Sequence, residues 1–224
     1  MTQISVTPRS AGDPRPDTLG MRLAHRAMLR DAARLPALLQ HLSAAAVAPA
    51  RARAVAGYVE DFCDSIHHHH SAEDDVLWPV LAASAGTHVD LAELSDDHAA
   101  LDPLLDRIRA GAAAFRTAPG DQDAATALAV DLGELRDVLE EHIADEEASV
   151  LPVIEEHVSV ADWHAVEGEI RSRATLTFEA PRVLAVVTPE ERAVLLAEGG
   201  LGLRLMAAVL CPPFRRRERR VFGG

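Results

Sequence analysis

Two stretches of this 224-residue chain pair an imidazole with a carboxylate at helical spacing. The first reads His69-His70-Ser71-Ala72-Glu73-Asp74 and runs on to Pro79. The second reads His142-Ile143-Ala144-Asp145-Glu146-Glu147 and runs on to Pro152. In both, Glu follows His by four residues and a second acid follows the Glu. A lone histidine, His25 or His98, stands 44 residues upstream of each pair. One offset of 73 residues relates His25 to His98, His69 to His142, Glu73 to Glu146 and Pro79 to Pro152. His and Glu at i and i+4 lie one turn apart on one helix face, so both reach the same ion or a bridged pair. Four imidazoles and two carboxylates on four segments suit a two-metal site inside a helical bundle. Such a donor set fits iron, and also manganese or zinc.

The apolar residues say which face these ligands share. Met28, Ala32, Leu35, Leu39 and Leu42 continue the stripe of His25. Val59, Phe62, Ile66 and Val76 bracket His69 and Glu73. Leu94, Leu101, Leu105 and Ile108 flank His98, and Leu128, Leu132, Leu135, Leu139 and Val153 share a face with His142 and Glu146. All six ligands therefore occupy core positions of amphipathic helices. A single core histidine is ordinarily a hydrogen-bonded packing residue, and a single His-x3-Glu is ordinarily a surface pair. Two copies on core stripes fit neither description. An unpaired buried carboxylate costs several kcal/mol, and a cation between two of them removes that cost.

Four helices follow, over about 18–46, 50–84, 87–115 and 121–158. Kinks are expected at Pro36 and Pro103, and Pro79 is expected to bend or end the second helix. Thr117-Ala118-Pro119-Gly120 is a loop. Pro79 and Pro152, at matching distances past the ligands, are expected to close the same end of the bundle. Residues 1–17 read as a loose, flexible N-terminal arm, 18–158 as the bundle, and 159–224 as a helical C-terminal extension with an Arg-rich end. The acids Asp74 and Glu147 fall about 100° off the ligand stripe and are expected to matter less than Glu73 and Glu146.

The chain contains no Glu-x-x-His, the di-iron signature of ferritin-like bundles. The zinc-protease run His-Glu-x-x-His is also missing. His25, His69, Glu73, His98, His142 and Glu146, with the Glu-Asp-x-x-Leu-Trp-Pro and Glu-Glu-x-x-Val-Leu-Pro runs, make the chain resemble the hemerythrin family. The likeness is to the bacterial hemerythrin-like group of HHE cation-binding domains, over about residues 18–158. That resemblance implies an all-α, up-down antiparallel four-helix bundle around a non-haem di-iron centre. Two iron ions per chain would be bridged by the two Glu, with an oxo, hydroxo or water bridge, and capped by the His. Invertebrate hemerythrins carry a second His on the third helix and an Asp bridge on the fourth. Here Asp102 stands four residues after His98, and Glu146 takes the bridging place. His70 is the candidate for the extra nitrogen, because Ile143 occupies its repeat position; Asp102 and water are the alternatives. One iron would then gain a ligand, and the other would keep an open position. His67 and His68 point to solvent or a neighbouring helix.

Composition narrows the function further. Hydrophobic residues make up 48% of the chain but aromatics only 4%, which suits an Ala, Leu and Val core of packed helices. All 22 basic residues are arginine, which excludes Schiff-base lysine chemistry and a Walker lysine. The net charge of −13 argues against nucleic acid as a partner. Two cysteines form no disulfide framework, and Cys63 falls near a core stripe as a buried thiol. No apolar run approaches the ~20 residues of a transmembrane segment, and Met1–Asp17 has no signal-peptide core, so the cytoplasm is the expected compartment.

Past Val158 the repeat ends. Ser159–Ala174 reads as a helix, 175–187 as mixed structure, and Thr188-Pro189-Glu190-Glu191 as a helix start. That helix should stop at Gly199-Gly200, and the apolar run Leu201–Leu210 should end at Pro212-Pro213. This run is expected to be covered and the arginines after it solvated, with self-association as a homodimer or attachment to an anionic membrane surface as alternatives. No metal ligand is expected beyond residue 158. The expected partner is a small oxidant: O₂, peroxide or nitric oxide. Three functions follow from the resemblance: oxygen binding or sensing; an oxidoreductase or oxygenase acting on peroxide, nitric oxide or an organic substrate; and iron storage or signalling. A dry apolar void beside the metals favours gas binding, and a channel with polar groups favours an enzyme.

Overall fold

The computed structural model describes residues 4–44, 46–88 and 90–223. It is all-helical, with no strand among those residues. Four long stretches carry the repeat. They are α1 (Leu19–Ser43), α2 (Pro49–Ala72) with its continuation α3 (Trp78–Ala85), α4 (Ala92–Thr117) and α5 (Gln122–His157). The extension adds α6 (Val160–Arg173), α7 (Leu176–Leu184) and α8 (Pro189–Phe222). The most extensive packing is α1 on α5, followed by α2 on α4 and α4 on α5.

Two apolar clusters form the core. The larger joins Met28, Leu35, Val59, Phe62, Ile108 and Leu135 with their neighbours. The smaller gathers Met21, Leu77, Trp78, Leu81, Val150 and Ile154. In each of the four long stretches the expected ligands fall between residues of the two clusters: His25 between Met21 and Met28, His69 and Glu73 between Ile66 and Val76, His98 between Leu94 and Leu101, His142 and Glu146 between Leu139 and Val150. Apolar side chains thus seal the polar layer from above and below.

The helix starts follow local chemistry. Asp121 accepts from the N–H groups of Asp123 and Ala124 at the head of α5, and Thr188 forms a capping box with Glu191 at the head of α8. Pro152 behaves otherwise than expected. Pro36, Pro103 and Pro152 lie inside helices, and α5 runs past Pro152 to His157. Pro79 does not end the second stretch either. The irregularity there is a π-helical turn at Glu73–Leu77, where the Trp78 N–H donates to the Glu73 carbonyl. Pro79 has no N–H for the Asp75 carbonyl, so the widened turn falls directly before it. The third helix begins at Ala92 rather than near residue 87, after a 3₁₀ turn at Gly86–His88.

The extension and the arm depart furthest from expectation. Residues 4–17 are irregular but fastened: the Thr7 N–H donates to Asp162 (2.8 Å), the Arg9 N–H to the His157 carbonyl (2.9 Å), and the Trp163 indole to the Asp17 carbonyl (2.8 Å). Residues 1–3 of the arm lie outside the described residues. The segment expected to be mixed forms α7. Helix α8 breaks at Gly200, whose φ of +52° is open to glycine, and turns through 119° there. It then runs through Pro212-Pro213 to Phe222 instead of stopping. Its end is held on α1 and α2. Phe214 and Val221 join the larger core cluster, Glu218 accepts from Arg30 (2.9 Å) and Arg34 (2.6 Å), and Arg217 pairs with Asp61. The arginine run is therefore partly docked rather than wholly solvated. The apolar run is only half covered. Leu203 and Met206 face inward, whereas Leu201, Val209 and Leu205 are 72%, 68% and 58% exposed. No single helix among the described residues is long and apolar enough to cross a membrane.

Candidate metal centre

The long helices bring all seven expected ligands together. His25, His69, Glu73 and Glu146 form one group whose donor atoms lie within 4.8 Å of one another, and His70, His98 and His142 form a second. The 73-residue repeat relates their contacts as well as their positions. His25 Nε2 is 3.1 Å from His69 Nε2, and His98 Nε2 is 3.2 Å from His142 Nε2. His25 Nε2 is 3.3 Å from Glu146 Oε2, and His98 Nε2 is 3.6 Å from Glu73 Oε2. Ligand atoms at ~2.1 Å from one ion at right angles would stand about 3 Å apart, close to these separations.

Burial and hydrogen bonding test whether cations fit. Glu73 and Glu146 are 1% and 0% exposed. None of their four carboxylate oxygens has a directed hydrogen bond, nor does His70 Nε2. His69 Nε2 comes within 2.8 Å of Glu73 Oε1, but as a close contact without hydrogen-bond geometry. Proteins seldom leave such groups unsatisfied in the interior, and a pair of cations among these N and O donors would satisfy every one of them. The residues present fit two metal ions.

Without cations, protons take their place. Burial works to lower the pKa of His25, but the close negative carboxylate of Glu146 and the hydrogen bond to Glu147 outweigh it and push His25 up to about 10. Burial, reinforced by the charge of Glu146, raises Glu73 well above the carboxylate range. Glu146 is held below that range against its own burial by the close contact and charge of His25. Burial brings His69 down to about 4 and His70 well below the ordinary imidazole value, so both rings are neutral at pH 7. Metal binding here must release protons.

The acids after the ligand Glu have a larger role than their off-stripe position promised. Glu147 Oε1 accepts from His25 Nδ1 (2.9 Å), and Asp74 Oδ2 from His98 Nδ1 (3.0 Å). Each engages the far ring nitrogen, Nδ1, so Nε2 is the nitrogen turned to the centre. Asp97 stands 3.6 Å from His142 Nδ1. Sequence reasoning missed these orienting contacts, although the repeat was a signal: it carries the His25–Glu147 pair onto His98–Asp74.

The family of the chain follows from a comparison that covers these residues. A model described as the hemerythrin HHE cation binding domain matches residues 20–154. The chain belongs to this family. No curated protein and no solved structure matches it. The matched span contains both ligand groups and ends before α6.

Within this hemerythrin-like centre, the two candidates for the extra ligand separate cleanly. His70 lies buried in the second group, stacked on His98 at 4.3 Å between ring centres. Asp102 is 59% exposed and accepts instead from His67 Nδ1 (3.2 Å). His68 is half-buried, with Nε2 3.3 Å from the Ile170 carbonyl. Ile143, the repeat partner of His70, is an apolar core residue. The first group therefore has two imidazoles and the second has three. No residue beyond 158 belongs to either group among the described residues.

The wall beside the first group is the extension itself. A cavity of about 330 Å³ reaches His69 and Glu73 between α1, α2 and α6 through α8. Met21, Leu23, Trp163, Val183, Leu203 and Met206 are among its lining. A buried ion pair fixes α7 over it. Arg182 Nε donates to Asp31 Oδ2 (2.8 Å), and Arg182 Nη1 donates to Ser65 Oγ (2.7 Å) and Glu179 Oε2 (2.9 Å).

Proposed function

We propose that this is a non-haem di-iron protein that binds or reacts with a small oxidant: O₂, peroxide or nitric oxide. In this reading α1, α2 with α3, α4 and α5 are the up-down four-helix bundle that holds the irons. The observation that carries it is the pair of donor groups, three imidazoles in one and two imidazoles with both carboxylates in the other, whose buried carboxylate oxygens have no hydrogen-bond partner. His70, His98 and His142 would hold one ion, His25 and His69 the other, with Glu73 and Glu146 between them. Ferrous ions bound there would supply two electrons for the reduction of O₂ or peroxide.

The chain's own residues set the conditions. Glu147 and Asp74 fix the rings of His25 and His98, so the donors need no rearrangement when metal enters. Ile143 in place of a third imidazole leaves the first group the less saturated one. The cavity beside it is walled mainly by apolar side chains, which makes the surroundings of the oxidant's landing place apolar. By the criterion of the void, this favours binding and controlled reaction over open polar turnover.

Iron analysis tests the reading directly. Protein expressed with ample iron should contain two ions per chain. O₂ added to the anaerobic ferrous protein should change its absorption. Reversal on removing O₂ marks carriage, and steady consumption of added peroxide marks catalysis. One ion or none per chain refutes the di-iron centre.

A further inference from the structure

The cavity is too large for the oxidant alone. At about 330 Å³ it offers roughly ten times the ~30 Å³ of a water-sized molecule. It falls at the small end of the ~300–1,000 Å³ range of organic-ligand pockets. It also lies outside the family's matched span on one side, since α6, α7 and α8 follow residue 154. Those helices contribute Trp163, Ile170, Val183, Leu184, Leu203 and Met206.

The polar side chains of the wall answer one another. Ser65 and Glu179 both bind Arg182, His68 is held by the Ile170 carbonyl, and Arg171 pairs with Glu167 at 3.9 Å. No charge cluster on the wall selects a charged guest. The exceptions are His69 and Glu73, at the floor, where the candidate metal centre begins.

We propose that the C-terminal extension builds a binding chamber for a neutral lipophilic organic molecule, which it holds against the His69 and Glu73 side of the metal centre. Its occupant is a mainly hydrocarbon skeleton with no formal charge, small enough for the chamber. Met21, Met28 and Met206 suit such a guest, because unbranched thioether side chains adapt to varied apolar shapes. The hold of Arg182 on α1 and α2 keeps the chamber formed. The binding site stands on the cavity; only its role beside a metal rests on the di-iron reading.

The test uses the neutral fluorophore N-phenyl-1-naphthylamine with the full chain, both metal-free and iron-loaded. One equivalent should bind, with enhanced probe emission and quenching of Trp163, and 1-decanol should displace it. Leu203→Glu places a charge in the wall and Ala180→Trp fills the space; each should weaken binding at least tenfold while helix content and iron count hold. Leu205→Glu, on the exposed face of α8, should leave binding unchanged. Equal loss with Leu205→Glu would put the probe on the outer apolar face and overturn the proposal. Absence of saturable binding to iron-loaded, folded protein would overturn it too. Saturable binding to a chain that takes up no iron would uphold the chamber while refuting the di-iron reading. In iron-loaded protein, 1-decanol should also shift the iron absorption bands; bands unmoved at saturating 1-decanol would overturn the placement against His69.

Discussion

Replacing Arg182 by Met tests how the extension is joined to the rest of the protein. Arg182 and Asp31 are each 1% exposed, and their 2.8 Å contact joins α7 to α1. Methionine keeps the aliphatic bulk but removes the bonds to Asp31, Ser65 and Glu179. Removing one partner of a buried ion pair destabilises by ~3–5 kcal/mol, because the other charge stays behind. Asp31 would not be wholly abandoned: Tyr58 still donates to Oδ2 (3.0 Å) and Arg34 to Oδ1 (2.8 Å). The low end, ~3 kcal/mol, is therefore expected. For a chain of this length each kcal/mol moves the melting temperature by about 2–4 °C, so Tm should fall by roughly 6–12 °C. Thermal unfolding followed by circular dichroism measures this. Adding Asp31→Asn should then destabilise by less than the two single changes together. A Tm within about 2 °C of the parent, or strict additivity, would show that the pair does not fasten α7.

Four further outcomes are expected. Glu73→Gln or Glu146→Gln should each lower iron below two per chain, whereas Asp74→Asn and Glu147→Gln should keep two irons and weaken affinity by about 10–100-fold, read by chelator competition; equal iron loss in all four would refute the division of roles. His70→Ala should weaken one iron while Asp102→Ala changes neither, and the reverse pattern in metal analysis would reject His70. Burial pushes the Cys63 thiol up to about 12, so at pH 8 an aromatic disulfide reagent should label Cys211 and reach Cys63 only on unfolding; because the folded state holds that proton longer, stability should fall as pH rises from the ordinary thiol range toward about 12, and rapid labelling of both thiols would refute this. Deleting residues 189–224 should leave two irons but lower Tm and solubility, since it strips Phe214, Val221 and Phe222 from the core around Tyr58; loss of one iron from a still-folded truncation would show that the tail reaches the metals.

The sequence determined the candidate ligands because their signal is local. A helix face repeats every three to four residues, so His69, Glu73, His142 and Glu146 declare a shared face without any knowledge of the neighbours. Duplication at a fixed offset then separates a metal site from scattered core histidines. Thr188 as a helix cap and Cys63 as a buried thiol were legible for the same reason. What the tertiary structure decided depends on which segments meet. The sequence favoured His70 over Asp102 through the repeat alone, and only packing turned one into the cluster and the other to solvent. Glu147 reaches His25 across 122 residues and Arg182 reaches Asp31 across 151, and the period of a helix face does not encode such pairs. The π turn at Glu73–Leu77 breaks the backbone symmetry that the repeat implied. The fate of the extension was the least legible part. Its apolar run gave no sign that one face would wall a cavity and the other stay exposed, because a helix's hydrophobic residues name the need for burial but not the surface that meets it.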